Sequence, residues 1–121
     1  MTKKKSIWKK SVDKHDYDAA LDYLTLIYNP EDAEILIEKL KNTKITIRKS
    51  KDIRRASGLE LFPEDNKHVK ENIKKIKRGI LMSPMLLVVD LKLIIADGAH
   101  RESAVFYTSE DEDVKCVIVY R

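Results

Sequence analysis

The chain has 121 residues, 43% of them hydrophobic and 36% charged, with a formal net charge of +4. That length suits one domain, and the apolar content is that of a globular chain rather than a disordered one. No apolar run approaches the roughly 18 residues of a membrane span, so no membrane contact is expected. The basic start has no apolar segment of the secretory type. A lone Cys116 excludes an internal disulfide and a cysteine-based zinc site, and points to a reducing, cytoplasmic setting. His15, His68 and His100 lie far apart, without metal-ligand spacing.

In chain order, residues 1–14 read as a basic flexible arm with Trp8 as its one anchor, and residues 15–121 as a single domain. A helix is expected from Asp16, its stripe running through Tyr17, Ala20, Leu21, Leu24, Ile27 and Tyr28. Asn29-Pro30-Glu31-Asp32 starts a second: an N-cap, a proline in the first turn, then acids. Ile45 to Arg48 alternates as a short strand, and Lys51 to Ser57 reads as a short helix stopped by Gly58. Pro63-Glu64-Asp65 opens a longer helix with the stripe Val69, Ile73, Ile76 and Ile80, ended by Gly79. Met85 to Val89 and Leu93 to Ala96 are strands joined by a tight connection and expected to be antiparallel. Glu102 to Thr108 is helical, 109–113 an acidic loop, and Val114 to Tyr120 the closing strand. The expected fold is α/β (α+β): a small mixed or mostly antiparallel sheet, flanking helices, and an added N-terminal helical pair.

The chemistry concentrates at Asp97-Gly98-Ala99-His100-Arg101, where an apolar strand meets a glycine turn and a helix start. The first N–H groups of a helix have no partner within it and carry partial positive charge, which favours an anion. His100 and Arg101 add donors there; the arginine fork either grips a phosphate or forms a surface salt bridge to Asp97 or Glu102. Gly98 either lets a phosphate approach the backbone or simply serves a positive-φ turn. Asp97 either ligates Mg²⁺ or accepts a proton, or else caps the helix. Ser103, one turn further on, is a candidate phosphate contact. Arg54, Asn66 and His68 are candidate pocket residues, with Asn66 equally readable as a helix cap. Of Arg54 and Arg55, one is expected to face solvent. Cys116 reads as a small buried apolar group rather than a reactive thiol.

From helix 63–79 onward, the order of helix, Ser83-Pro84 and strand, strand, Asp97-Gly98-Ala99-His100-Arg101, helix and strand resembles the ParB/sulfiredoxin superfamily. Residues 51 to 119 are also similar to uncharacterised bacterial proteins with an Asp-Gly-X-His-Arg signature. The superfamily holds nucleotide phosphates on this turn. Sulfiredoxin has Gly-Cys-His-Arg; Ala99 stands where its cysteine would be, so sulfiredoxin chemistry is not implied. ParB has Gly-Glu-Arg-Arg and binds the CTP triphosphate; only Gly98 and Arg101 match. ParB continues into a helix-turn-helix domain, whereas this sequence stops at Arg121, so DNA binding of the ParB kind is not expected. The free-serine kinase branch has Asp-Gly-His-His-Arg, which Asp97, Gly98, His100 and Arg101 match. Ala99 does not match that motif. Position and resemblance together give the expected site: phosphate bound by Gly98, Ala99, His100, Arg101 and Ser103, catalytic roles for Asp97 and His100, and a metal at Asp97. The cofactors implied are Mg²⁺ and a nucleotide (ATP, ADP or CTP). The kinase's acidic base has Glu60, Glu64 and Asp65 as candidates by position.

The expected function is nucleotide-phosphate binding, extending to small-molecule phosphotransfer or nucleotide hydrolysis. The alternative is a non-enzymatic regulatory or interaction module that contacts a protein partner or nucleic acid, without sequence specificity, through the basic arm; a homo-oligomer fits either. Lys3, Lys4, Lys5, Lys9, Lys10 and Lys14, with Lys74, Lys75, Lys77 and Arg78, would serve it, or else form solvated faces.

Overall fold

The computed structural model describes residues 6–121, and Met1 to Lys5 of the basic arm lie outside them. The described chain is an α/β fold of nine elements: α1 (Lys14–Leu24), α2 (Pro30–Lys41), β1 (Thr46–Lys49), α3 (Ser50–Ser57), α4 (Lys67–Arg78), β2 (Met85–Asp90), β3 (Lys92–Asp97), α5 (Ala99–Thr108) and β4 (Asp113–Tyr120). The sheet order is β1-β4-β2-β3. β2 and β3 are antiparallel neighbours, as are β1 and β4, while β2 and β4 pair in parallel through the β3–α5 crossover. The sheet is therefore mixed.

Alternation along the strands sends side chains to two cores. On one face Leu86, Val88, Val117 and Val119 meet Ala20 and Leu24 of α1 and Ala33, Leu36 and Leu40 of α2. On the other, Met85, Leu87, Val114 and Cys116 meet Ile53 of α3, Val105 of α5 and Trp8. α4 packs chiefly on α5. Cys116 is fully buried, and burial pushes its thiol up to about 11, so it behaves as core.

Several boundaries depart from the sequence reading. The arm is docked from Ser6 onward: the Trp8 indole is buried and its N–H donates to the Asp113 carbonyl at 2.9 Å, while Lys9 and Met82 pair through their backbones. α1 starts at Lys14 and ends at Leu24, so Ile27 falls in the following turns and is exposed, whereas Tyr28 is buried. The helix expected from Pro63 starts at Lys67. Pro63 to Asn66 instead closes a turn, and the Asn66 side chain accepts from the His68 and Val69 N–H groups, which fixes the helix start there. Ile80 lies beyond the left-handed Gly79 and is exposed. α5 starts at Ala99, three residues early, because Gly98 turns the chain directly off β3 with φ of 113°.

Candidate functional site

β3 ends at Asp97, Gly98 makes the turn, and α5 begins. Gly98 is required here: a Cβ at this position would lie 2.8 Å from Met85 Cγ and 3.1 Å from Arg101 Nη2. The α5 ladder starts with the Glu102 N–H donating to the Gly98 carbonyl at 2.9 Å. Among the described residues, the N–H groups of Ala99, His100 and Arg101 find no hydrogen-bond partner. Asp97 does not cap the helix; its side chain turns instead to Arg101.

Arg101 Nη2 donates to Asp97 Oδ2 at 2.7 Å and lies 3.5 Å from Asp16 Oδ2. Asp16 comes from the first turn of α1, and its side chain is only 4% exposed. Its Oδ1 sits 3.2 Å from His15 Nε2, while Oδ2 has no hydrogen-bond partner. Arg101 Nε is likewise buried without a partner. Two carboxylates thus converge on one guanidinium. Burial pushes the Asp97 carboxyl up, Arg101 pulls it down, and Asp16 adds to the rise.

His100, on the first turn of α5, stacks on Phe62 with ring centroids 4.4 Å apart and planes 18° apart. The His68 ring stands 4.9 Å from it, tilted by 54°. Burial lowers the His100 pKa, and His68 lowers it further. His100 is accordingly expected to titrate below the usual histidine value of about 6.5, and a ¹H–¹⁵N titration of the imidazoles in the His68→Gln variant should move it back upward. An unchanged His100 midpoint in that variant would break the coupling.

Behind the turn lies a buried network. Glu102 is fully buried; its carboxylate accepts from Arg54 Nη2 and, at 3.0 Å, from the Ser50 hydroxyl. Burial pushes the Glu102 carboxyl up, opposed by Arg54 and Ser50. Arg54 also donates to the Leu59 carbonyl at 2.8 Å and to Ser103 Oγ at 3.1 Å. Ser103 Oγ accepts the Phe62 N–H as well, at 3.3 Å, and the Tyr107 hydroxyl donates to the Phe62 carbonyl at 2.7 Å. The loop carrying Phe62 is thereby tied to α5.

The structure therefore separates the candidates. Asp97, Gly98, Ala99, His100 and Arg101 form one turn, with His68 beside it through His100. Arg54 and Ser103 are engaged inside, Asn66 caps α4, and Arg55 is the exposed member of its pair. Glu60, Glu64 and Asp65 are exposed, and Asp16 is the acid that the ion-pair network joins to Asp97. Asp16, Phe62 and Glu102 were not legible as site residues. Only the fold brings Asp16 and Phe62 to the turn, whereas Glu102 follows Arg101 in the chain and only its burial against Arg54 and Ser50 was hidden. A polar cleft of about 170 Å³ opens onto Arg101, lined also by Lys9 with its ion-pair partner Asp13, and by His15, Asn72, Lys75 and Ser83. It joins one lysine from each basic cluster.

Among the described residues, no group of three or more His, Cys, Asp or Glu side chains converges as a metal centre, and no helix is long and apolar enough to cross a membrane. No family model matches the chain, and no curated protein or solved structure matches it either.

Proposed function

We propose that this chain binds a nucleotide or other phosphate-bearing ligand, with its phosphates on the backbone N–H groups of Ala99, His100 and Arg101. The observation that carries this reading is the left-handed Gly98 opening α5 with three unpartnered N–H groups beside the Arg101 side chain. An anion there satisfies the orphan donors and the helix dipole together. The cleft beside Arg101 supports it through Lys75, which adds positive charge there, while the Lys9 ammonium is paired with Asp13 at 2.9 Å. The motif's resemblance to the free-serine kinase branch supports a nucleotide as the ligand. Phosphotransfer or hydrolysis would draw on Asp97, as metal ligand, and on His100.

The test is thermal unfolding with ATP, ADP, CTP, GTP and pyrophosphate, each with and without Mg²⁺. A ligand confined to the folded state at about 100 times its Kd stabilises by roughly 2.7 kcal/mol. A rise in Tm with one of them, lost in Arg101→Ala, is the expected result. A well-folded protein that shifts with none of them would overturn the reading. Turnover abolished by Asp97→Ala, with binding retained, would establish an enzyme. Binding of nucleic acid through the basic segment is the second reading, favoured by the meeting of Lys9 and Lys75 at one cleft. It predicts salt-sensitive binding that Lys9→Glu and Lys75→Glu weaken and Arg101→Ala leaves intact.

A further inference from the structure

The geometry points to a divalent-cation site built by Asp16 together with Asp97, in which the cation takes the place between the two carboxylates that the Arg101 guanidinium fills here. The inference rests on the phosphate reading above only for the cation's remaining ligands. Two features of the cluster carry it. Asp16 is a carboxylate on α1 with a side chain 4% exposed, and its Oδ2 has no hydrogen-bond partner. Burying a carboxylate in that way is costly unless a cation compensates it. His15 Nε2 lies 3.2 Å from the other oxygen, Oδ1, while the guanidinium facing Oδ2, Arg101 Nη2, stands 3.5 Å away and is bonded at 2.7 Å to Asp97 instead. Asp16 Oδ2 is thus ion-paired at long range but hydrogen-bonded to nothing.

The second feature is Arg101 itself. Its Nε is buried without a partner, so the guanidinium is incompletely satisfied where it stands. Both carboxylates lie on Nη2, so that arm of the fork is taken and is not offered to a phosphate. A divalent cation carries twice the charge and is the better counter-ion for two carboxylates. Its arrival would release Arg101 toward an anion on the α5 N-terminus. Two carboxylates are also what magnesium uses in phosphate sites, with water and phosphate oxygens completing its shell rather than a closed protein cage. Among the described residues no group of three or more His, Cys, Asp or Glu converges there, so water and phosphate oxygens would have to supply the rest of the shell. Asp16 thereby becomes a functional residue, and cation and phosphate become mutually reinforcing ligands.

The test uses the full chain and Mn²⁺, read by the loss of its free-ion electron paramagnetic resonance signal, with and without pyrophosphate. The proteins are wild type, Asp16→Asn, Asp97→Asn, Arg101→Met and the surface control Asp18→Asn, each checked for folding by circular dichroism. Asp16→Asn and Asp97→Asn are expected to weaken Mn²⁺ binding at least about tenfold, and the control to leave it unchanged. Arg101→Met is expected to tighten Mn²⁺ alone, because it removes the competing cation, while weakening pyrophosphate alone. Those opposite signs decide the matter even if Asp16→Asn does not fold. Wild-type Mn²⁺ affinity in Asp16→Asn, weaker Mn²⁺ binding in Arg101→Met, or no Mn²⁺ binding by wild type would each overturn the inference. Mn²⁺ binding that needs Asp16, with no pyrophosphate binding under any condition, would leave the cation site standing and remove the phosphate reading.

Discussion

Replacing Arg54 with methionine is expected to lower the unfolding free energy by about 3–5 kcal/mol, the range found when one partner of a buried ion pair is removed. Glu102 is fully buried and holds two hydrogen bonds, one of them from Arg54. Without the guanidinium, its charge keeps only the Ser50 hydroxyl. The same change frees the Leu59 carbonyl and Ser103 Oγ, and so loosens the loop that stacks Phe62 on His100. Urea unfolding of the variant measures the loss, and a loss under 1 kcal/mol would show that the pair is not a structural centre. The double variant Arg54→Met, Glu102→Gln should recover part of the stability, because no charge is then left buried.

The pH dependence of the single variant follows. Burial already pushes the Glu102 carboxyl up, and removing Arg54 takes away the main opposing pull. A carboxyl whose folded pKa lies above its unfolded value, about 4.3, binds its proton more tightly when folded. The folded state then carries more protons than the unfolded one between those two values, and stability falls as pH rises through that window. Arg54→Met should therefore be least damaging at the acid end and most damaging above the raised folded pKa. A stability difference from wild type that does not change with pH would contradict the assignment of the loss to Glu102.

Gly98→Ala is expected to cost roughly 2 to 4 kcal/mol, from a side chain forced into a positive-φ backbone and from overpacking. The backbone has φ of 113°, and the new methyl would meet Met85 Cγ at 2.8 Å and Arg101 Nη2 at 3.1 Å. Met85 is fully buried on β2, and the atoms met are its Cβ and Cγ rather than the free end of the side chain. Gly79→Ala is the comparison: φ is 73° there and a methyl meets nothing within 4 Å, so only the backbone cost of about 1–2 kcal/mol applies. Equal losses for the two variants, measured by thermal unfolding, would show that the close approach of Met85 and Arg101 to Gly98 is unimportant.

The elements that were legible in the sequence are those specified by their own residues. Asn29-Pro30 set the start of α2, because the Asn29 side chain accepts from the Asp32 N–H and proline opens the helix. Gly58 and Gly79 end their helices in left-handed conformation, and the run from Met85 to Val89 is strand, buried through Val88 and half-buried at Val89. The late start of α4 was not legible, since Pro63-Glu64-Asp65 and Asn66 both read as helix starts and only the Asn66 contacts separate them. The site divided in the same way. The turn from Asp97 to Arg101 is contiguous, so its glycine, its helix start and its donors are visible together. Ser103 and Arg54 carry the right chemistry for a phosphate, but burial beside Glu102 turns Ser103 Oγ and both terminal nitrogens of Arg54 to internal partners.

By itself, then, the sequence determined which segments are helix and which are strand, though not the starts of α4 and α5, together with the Asp97–Arg101 turn, because each depends on residues within a few positions of one another. Tertiary structure alone decided the parallel pairing of β2 with β4, the docking of Trp8 under Asp113, and the choice of Asp16 as the second acid at Arg101. These join residues far apart in the chain, where neither periodicity nor capping carries information. Burial then sets what their charges can do: the same carboxylate that is an ordinary first-turn acid on an exposed helix becomes, at Asp16, a charge that needs a cation.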